Sequence, residues 1–362
     1  MARWPFAALL LLAGLDAAAC PLCLGSFQPS PAQRLVELRQ AVLAVPTTDG
    51  SRYRVVEVIK GERPPNGMIE GGHSRSDAAT DAAALKSGKP LMLVRDESWP
   101  MWVIVGAIGA EHSSWLRKLA AGKRPAEMDA DVWRTRVAIV LPYLENPEPL
   151  VAEIAYGELA GAPYAALRTA KPRLDAPAVR RWLADPKLAA RQPLYLLLLG
   201  FASDAQDAAA LEERLEAAWR SGDATNLGSM LAADLELRGA ARMAWVDAKY
   251  LRDRGRSPPE IKAALLALSV HGNANGAIPR ARVIQSYRTF MKEHKEIAGY
   301  VAKDLADWKY WDAVPEYVTL MKSDLRQQYP SRLAIIEYLR QSPRAEPRGI
   351  EQETSVEPGP RR

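Results

Sequence analysis

The two cysteines, Cys20 and Cys23, stand in ACPLCLGS directly behind an apolar N-terminal run. Cys-Pro-Leu-Cys has the spacing of thioredoxin-type redox pairs, in which the first thiol is activated at a helix N-terminus that follows a strand. No strand precedes this pair, so a passive disulfide or a lipid on Cys20 fits the context better than catalysis. Two sulfurs fall short of the four ligands zinc normally takes, and no Met or His cluster nearby suits monovalent copper. The histidines are His73, His112, His271 and His294, and no two stand at i,i+4 as in a zinc-protease helix.

Each histidine has a plain reading beside a chemical one. His73, in EGGHSRSD, belongs to a polar loop where a ligand or acid–base role is conceivable. His112 precedes Ser113 and Ser114, a base beside candidate nucleophiles, but capping of the following helix explains the serines more simply. His271 opens HGNANGAIP, which reads as a helix C-terminal cap and an inter-helix loop. No phosphate loop or dinucleotide fingerprint is present. Catalysis is therefore not expected, a hydrolase around His73 or His112 has no motif behind it, and no cofactor or metal is implied.

The elements that must carry these residues follow from the hydropathy pattern. MARWPFAALLLLAGLDAAAC has one early arginine, an apolar run from Ala7 to Leu15 and small residues Ala17 to Ala19. That is the layout of a secretory signal peptide over 1–19, although Asp16 is unusual there. Export to a periplasmic, secreted or membrane-tethered life is expected. Cleavage after Ala19 leaves Cys20 first, where it is either lipidated or paired with Cys23 in an oxidising compartment. The two fates compete, because a thioether on Cys20 removes the partner of Cys23.

Residues 20–127 read as a β-rich domain. Gln40–Val45, Tyr53–Ile59, Met68–Glu70, Leu91–Val94 and Trp102–Gly106 are strand candidates, with a strong turn at Pro64-Pro65-Asn66-Gly67. Residues 71–88 read as a mobile loop and Ser114–Ala121 as a helix. From 128 to 341 the period lengthens to that of helices. These are expected at 132–141, 147–160, 177–184, 186–199, 204–220, 224–237, 240–252, 258–270, 280–293, 297–306, 311–321 and 330–339. Their tryptophans, Trp182, Trp219, Trp245, Trp308 and Trp311, read as core. The tail, 342–362, is rich in Pro, Glu and Arg and is expected to be disordered.

VRRWLADPKLAARQPLYLLLLG and LADWKYWDAVPEYVTLMKSDLRQQYPSRLAIIEYLR each join a Trp-bearing helix, an Asp-containing break and an apolar helix. The pattern resembles HEAT/armadillo repeats, which implies an α-solenoid. The cysteine start, YRVVEVIKGERPPNGMI and GKPLMLV resemble netrin-module, metalloproteinase-inhibitor-like domains and imply an OB-like barrel. That family's Cys-x-Cys start and several disulfides are missing, so its inhibitory role is not carried over.

The expected fold class is two-domain α+β, an OB-like barrel or sandwich followed by a helical repeat. The chain has 362 residues, a formal charge of +5 and interspersed lysines, arginines and acids, with no long basic run. Nucleic-acid binding is not expected. The anticipated role is an exported, non-enzymatic protein that binds or scaffolds another protein on the helical surface. The alternative is a thiol–disulfide or metal-handling protein acting through Cys20 and Cys23. A membrane is involved only through a lipid on Cys20.

Overall fold

In a computed structural model of the protein, the described residues are 22, 30–70, 77–96, 101–202, 205–323 and 328–344. Cys20, Cys23 and His73 lie outside them, as does the expected signal peptide and nearly all of the tail. The chain divides into two compact units, Met1–Leu198 and Leu199–Arg362. The described chain is mostly helical, with one small antiparallel sheet near its start, an α+β layout.

In the first unit, β1 (Gln40–Pro46), β2 (Arg52–Lys60), β3 (Met68–Glu70), β4 (Leu91–Arg95) and β5 (Val103–Ala107) form a five-stranded sheet in the order β3-β2-β1-β4-β5. Every neighbouring pair is antiparallel. Alternation of side chains along β1 and β4 sends Val42, Ala44, Leu91 and Leu93 to one face. There they join Tyr53, Val55, Ile69 and Ala84 in a buried cluster. Leu43 and Met92 point the other way and are also fully buried. Both faces are therefore covered, which explains why these strands read as continuous apolar runs. The β1–β2 turn is fixed by Asp49, whose carboxylate accepts from Thr47 and Ser51 and is thereby held down at about 2.

Helices α1 (Pro31–Glu37), α2 (Asp77–Ser87), α3 (Ser113–Ala120), α4 (Ala130–Val140), α5 (Pro149–Ala160), α6 (Tyr164–Arg168) and α7 (Ala176–Ala184) complete the first unit. α2 corrects the loop expected over 71–88. Its run of alanines and threonine lacks an apolar stripe, yet Ala84 closes the sheet cluster and Tyr53 donates to Asp81 at 2.7 Å. Ser30 caps α1: its hydroxyl accepts from the Gln33 N–H at 3.0 Å and donates to Glu158 on α5 at 2.5 Å. Arg136 on α4 donates to the other Glu158 oxygen at 2.5 Å and to the Leu119 carbonyl of α3 at 2.8 Å. One buried carboxylate thus ties α1 and α4 to α5.

Helix α8 (Gln192–Ala202) crosses the division between units. The expected start at Pro186 is instead a 3-10 stretch over Pro186–Arg191, begun by Asp185, whose carboxylate accepts from the Lys187 N–H at 2.9 Å. The second unit contains α9 (Ala205–Ser221), α10 (Leu227–Arg238), α11 (Met243–Val246), α12 (Pro258–Ala274), α13 (Arg280–Glu293), α14 (Ala302–Asp307), α15 (Val314–Lys322) and α16 (Tyr329–Gln341). The single helix expected over 240–252 is a 3-10 turn, the short α11 and a π-helical stretch over Asp247–Leu251. Asp247 accepts from Ser286 at 2.5 Å and from Arg282 at 2.6 Å, a side-chain bond pair that holds this irregular stretch against α13.

The five tryptophans read as core are only half-buried. Trp219 lies under the Lys249 ammonium at 3.3 Å, Trp245 under Arg242 at 3.8 Å, and Trp308 under Arg280 at 5.4 Å. Trp182 and Trp311 lean on Tyr195 and Tyr338. Trp219, Trp245 and Trp308 thus each carry a cation on one π-face, which suits a side chain too large to enclose completely.

Candidate functional site

His112 sits in a 3-10 turn, Ala110–His112, between β5 and α3. Its ring meets Tyr143 edge-on at 5.8 Å and Trp115 at 6.3 Å, and those two rings stack at 4.4 Å. Trp115 is anchored by donation to the Ile139 carbonyl at 3.2 Å. The imidazole Nε2 faces Glu148 Oε2 at 3.7 Å, with both side chains largely covered. Glu148 stands at the N-cap of α5 without capping it; its own N–H is held by Asn146 at 2.9 Å. That leaves the carboxylate turned toward β4, where Lys89 donates to Oε1 at 2.7 Å and the Gly109 N–H donates to Oε2 at 2.9 Å.

Burial by itself pushes Glu148 upward, but the Lys89 ammonium and the Gly109 N–H outweigh it and hold the carboxyl below its usual range. The same hydrogen bond raises Lys89. Glu111 folds back over this point, so close to Gly109 that a Cβ there would strike its carboxylate. Glu111, His112 and Glu148 consequently bring one ligand atom each within 4.8 Å of one another. One nitrogen and two oxygens suit a divalent transition ion. Lys89 already supplies a positive charge there and the Gly109 N–H takes the second oxygen of Glu148, so a cation would compete with both for this carboxylate.

Ser113 donates to the Ala110 carbonyl at 2.5 Å and is 3% exposed, so it is directed away from His112. It also does not cap α3, whose N-cap position is His112 and lacks a side-chain cap; the capping reading of these serines is corrected. His271 needs correction too. α12 runs on through it to Ala274, and the left-handed cap is Asn275. His271 is fully buried and its Nε2 lies 2.9 Å from the Ala232 carbonyl of α10, a packing role. Glu148 escaped sequence reading because it lay inside an expected helix. The available signal was its place between Pro147 and Pro149, which forces the chain to turn there.

A second feature lies in the second unit. α13 and α15 bound a groove of about 640 Å³. Gln285, Arg288, Thr289 and Lys292 fall at successive turns of one α13 face, and Pro315, Glu316, Thr319 and Leu320 line it from α15. Thr289 and Thr319 donate to their own helices, to the carbonyls of Gln285 and Pro315. Their hydroxyl protons are thus already committed, and Pro315 and Leu320 add apolar surface.

Compared with known proteins, the chain matches no family model, no curated protein and no solved structure. Among the described residues, no helix is long and apolar enough to cross a membrane.

Proposed function

We propose that the chain is an exported, non-enzymatic protein that holds a protein partner on its helical surface. The observation that carries this reading is the α13–α15 groove, an open trough with apolar and charged walls and no converging acid–base or nucleophilic groups among its lining residues. Such surfaces recognise segments of other chains rather than transform small molecules.

The architecture belongs to the same reading. A five-stranded antiparallel sheet with β1 between β2 and β4 supports an OB-like first domain of the partly open kind. α10 packs on α9 and on α12, and α12 packs on α13, so neighbours in sequence are neighbours in space, which supports a HEAT-like repeat. Export rests on the N-terminal pattern, with Cys20 either carrying a lipid or bonded to Cys23.

The test is a photo-crosslinking amino acid placed at Thr319 in the groove and, as control, at exposed Lys262 on α12. A discrete protein adduct from position 319 alone is the expected result. Equal labelling from both positions, or none, overturns the reading. The thiol alternative is separated by Cys20→Ser/Cys23→Ser, which should leave the adduct unchanged. Mass spectrometry of the mature N-terminus distinguishes acyl chains on Cys20 from the two-hydrogen deficit of a disulfide.

A further inference from the structure

We infer that the segment received by the α13–α15 groove is acidic and carries aliphatic side chains, an inference that rests on the partner-holding reading above. Arg288 and Lys292 occupy successive turns of α13, and Lys295 follows just beyond its end; all three are exposed. Among the described lining residues these cations face one acid, Glu316, which stands 3.9 Å from Arg288 at the limit of an ion pair. Arg288 and Lys292 alone outweigh Glu316, so among the described lining residues the excess charge is positive.

The uncharged lining selects the kind of anion. Met291 is 3% exposed and belongs to the groove's floor, so the apolar surface open to a ligand is that of Pro315 and Leu320 along α15. Among the described residues no aromatic ring lines the groove, and single-stranded nucleic acids favour stacking platforms. The threonine hydroxyls commit their protons to their own helices and can only accept from a ligand, which leaves the cations and the apolar strip to recognise a carboxylate-bearing segment. A peptide alternating carboxylates with leucine-like residues meets both demands: its acids reach the rim and its apolar side chains cover Pro315 and Leu320. The volume of about 640 Å³ lies within the range of about 300–1,000 Å³ typical of ligand clefts.

The probe is a short fluorescein-labelled peptide of alternating Glu and Leu, titrated into the full chain by anisotropy. A Lys/Leu and a Ser/Leu peptide serve as comparisons. The Glu/Leu peptide should bind, and Arg288→Glu/Lys292→Glu should weaken it about tenfold or more, since charge complementarity is reversed at two points. Raising the salt from well below to well above physiological should weaken it by about tenfold, because these charges are exposed to screening. Both side chains are exposed, so an unchanged thermal melt verifies that the variant is folded.

Equal binding of the three peptides, or binding indifferent to the charge reversal, overturns the inference. If the Ser/Leu peptide binds best and Leu320→Glu abolishes it, the groove still holds a partner but not an acidic one. If the Thr319 crosslinker also captures nothing, the partner reading itself fails. If the acidic peptide binds only to a chain ending at residue 344, the groove belongs to residues 345–362 of the same molecule, which again overturns the inference.

Discussion

Arg136 Nε and Glu158 Oε2 meet at 2.5 Å, with side chains 5% and 1% exposed, and this pair locks α4 to α5. Removing one partner leaves the other charge enclosed and uncompensated. Arg136→Met or Glu158→Leu should therefore cost about 3–5 kcal/mol of stability, the range for breaking a buried ion pair. Ser30→Ala, which removes one neutral donor to the same carboxylate, should cost about 1–3 kcal/mol. Denaturant melts of the three variants give the order directly; equal losses would mean the pair is not the keystone of this packing.

His294 should make stability depend on pH. It follows α13, stacks on Phe290 at 5.3 Å and is 9% exposed. Burial, aided by the nearby Arg254 charge, holds its pKa below the ordinary value, against an opposing backbone contact from Leu251. The unfolded chain then binds the proton more readily than the folded one. The stabilisation is complete above about pH 6.5, the unperturbed value, and is lost as pH falls through the lowered folded pKa. His294→Phe should flatten the difference in melting temperature between neutral and mildly acidic solution. An unchanged slope in that variant would refute the assignment.

Lys89 is predicted to be what keeps metal out of the Glu111–His112–Glu148 cluster. The native chain should take up no zinc there, since the ammonium is bonded to Glu148. Lys89→Met should admit the ion, and adding His112→Ala should remove it again. Calorimetric titration on a Cys20→Ser/Cys23→Ser background keeps thiol binding out of the signal. Zinc bound equally with and without Lys89 contradicts this account.

Gly272 and Trp308 form a tight contact within the second unit. A Cβ on Gly272 would lie 2.4 Å from the indole, which stacks on Tyr287 at 5.6 Å and donates to Asn273 at 2.8 Å. Gly272→Ala should expel the ring and destabilise by about 1–3 kcal/mol, the usual range for overpacking. A red shift in tryptophan emission and a lower melting temperature are the expected readouts.

The sheet was legible because its strands are short β-branched runs bounded by turn residues. β1 and β2 fall within a residue of the stretches read from Gln40–Val45 and Tyr53–Ile59. α13 occupies the span read for it, where an amphipathic face follows a proline. α2 was not legible, since its alanine-rich sequence carries no stripe and its burial comes from the sheet. Nor was the break-up of 240–252: the bonds from Arg282 and Ser286 to Asp247 come from elsewhere in the chain. The same holds for the site. His112 was visible as a residue, but its partnership with Glu148 and Lys89 is made by three separate loops. The groove was foreseen only as a surface, because the facing of α13 and α15 is a tertiary fact.

The sheet's outer lip bears on how the protein must be handled. Among the described residues β5 pairs with β4 alone, and Val103 on it is 47% exposed. A sheet edge without a further strand partner is a template for a stranger's backbone. In concentrated stocks, copies should zip together along that margin, and Val103→Lys should keep them dispersed in light scattering.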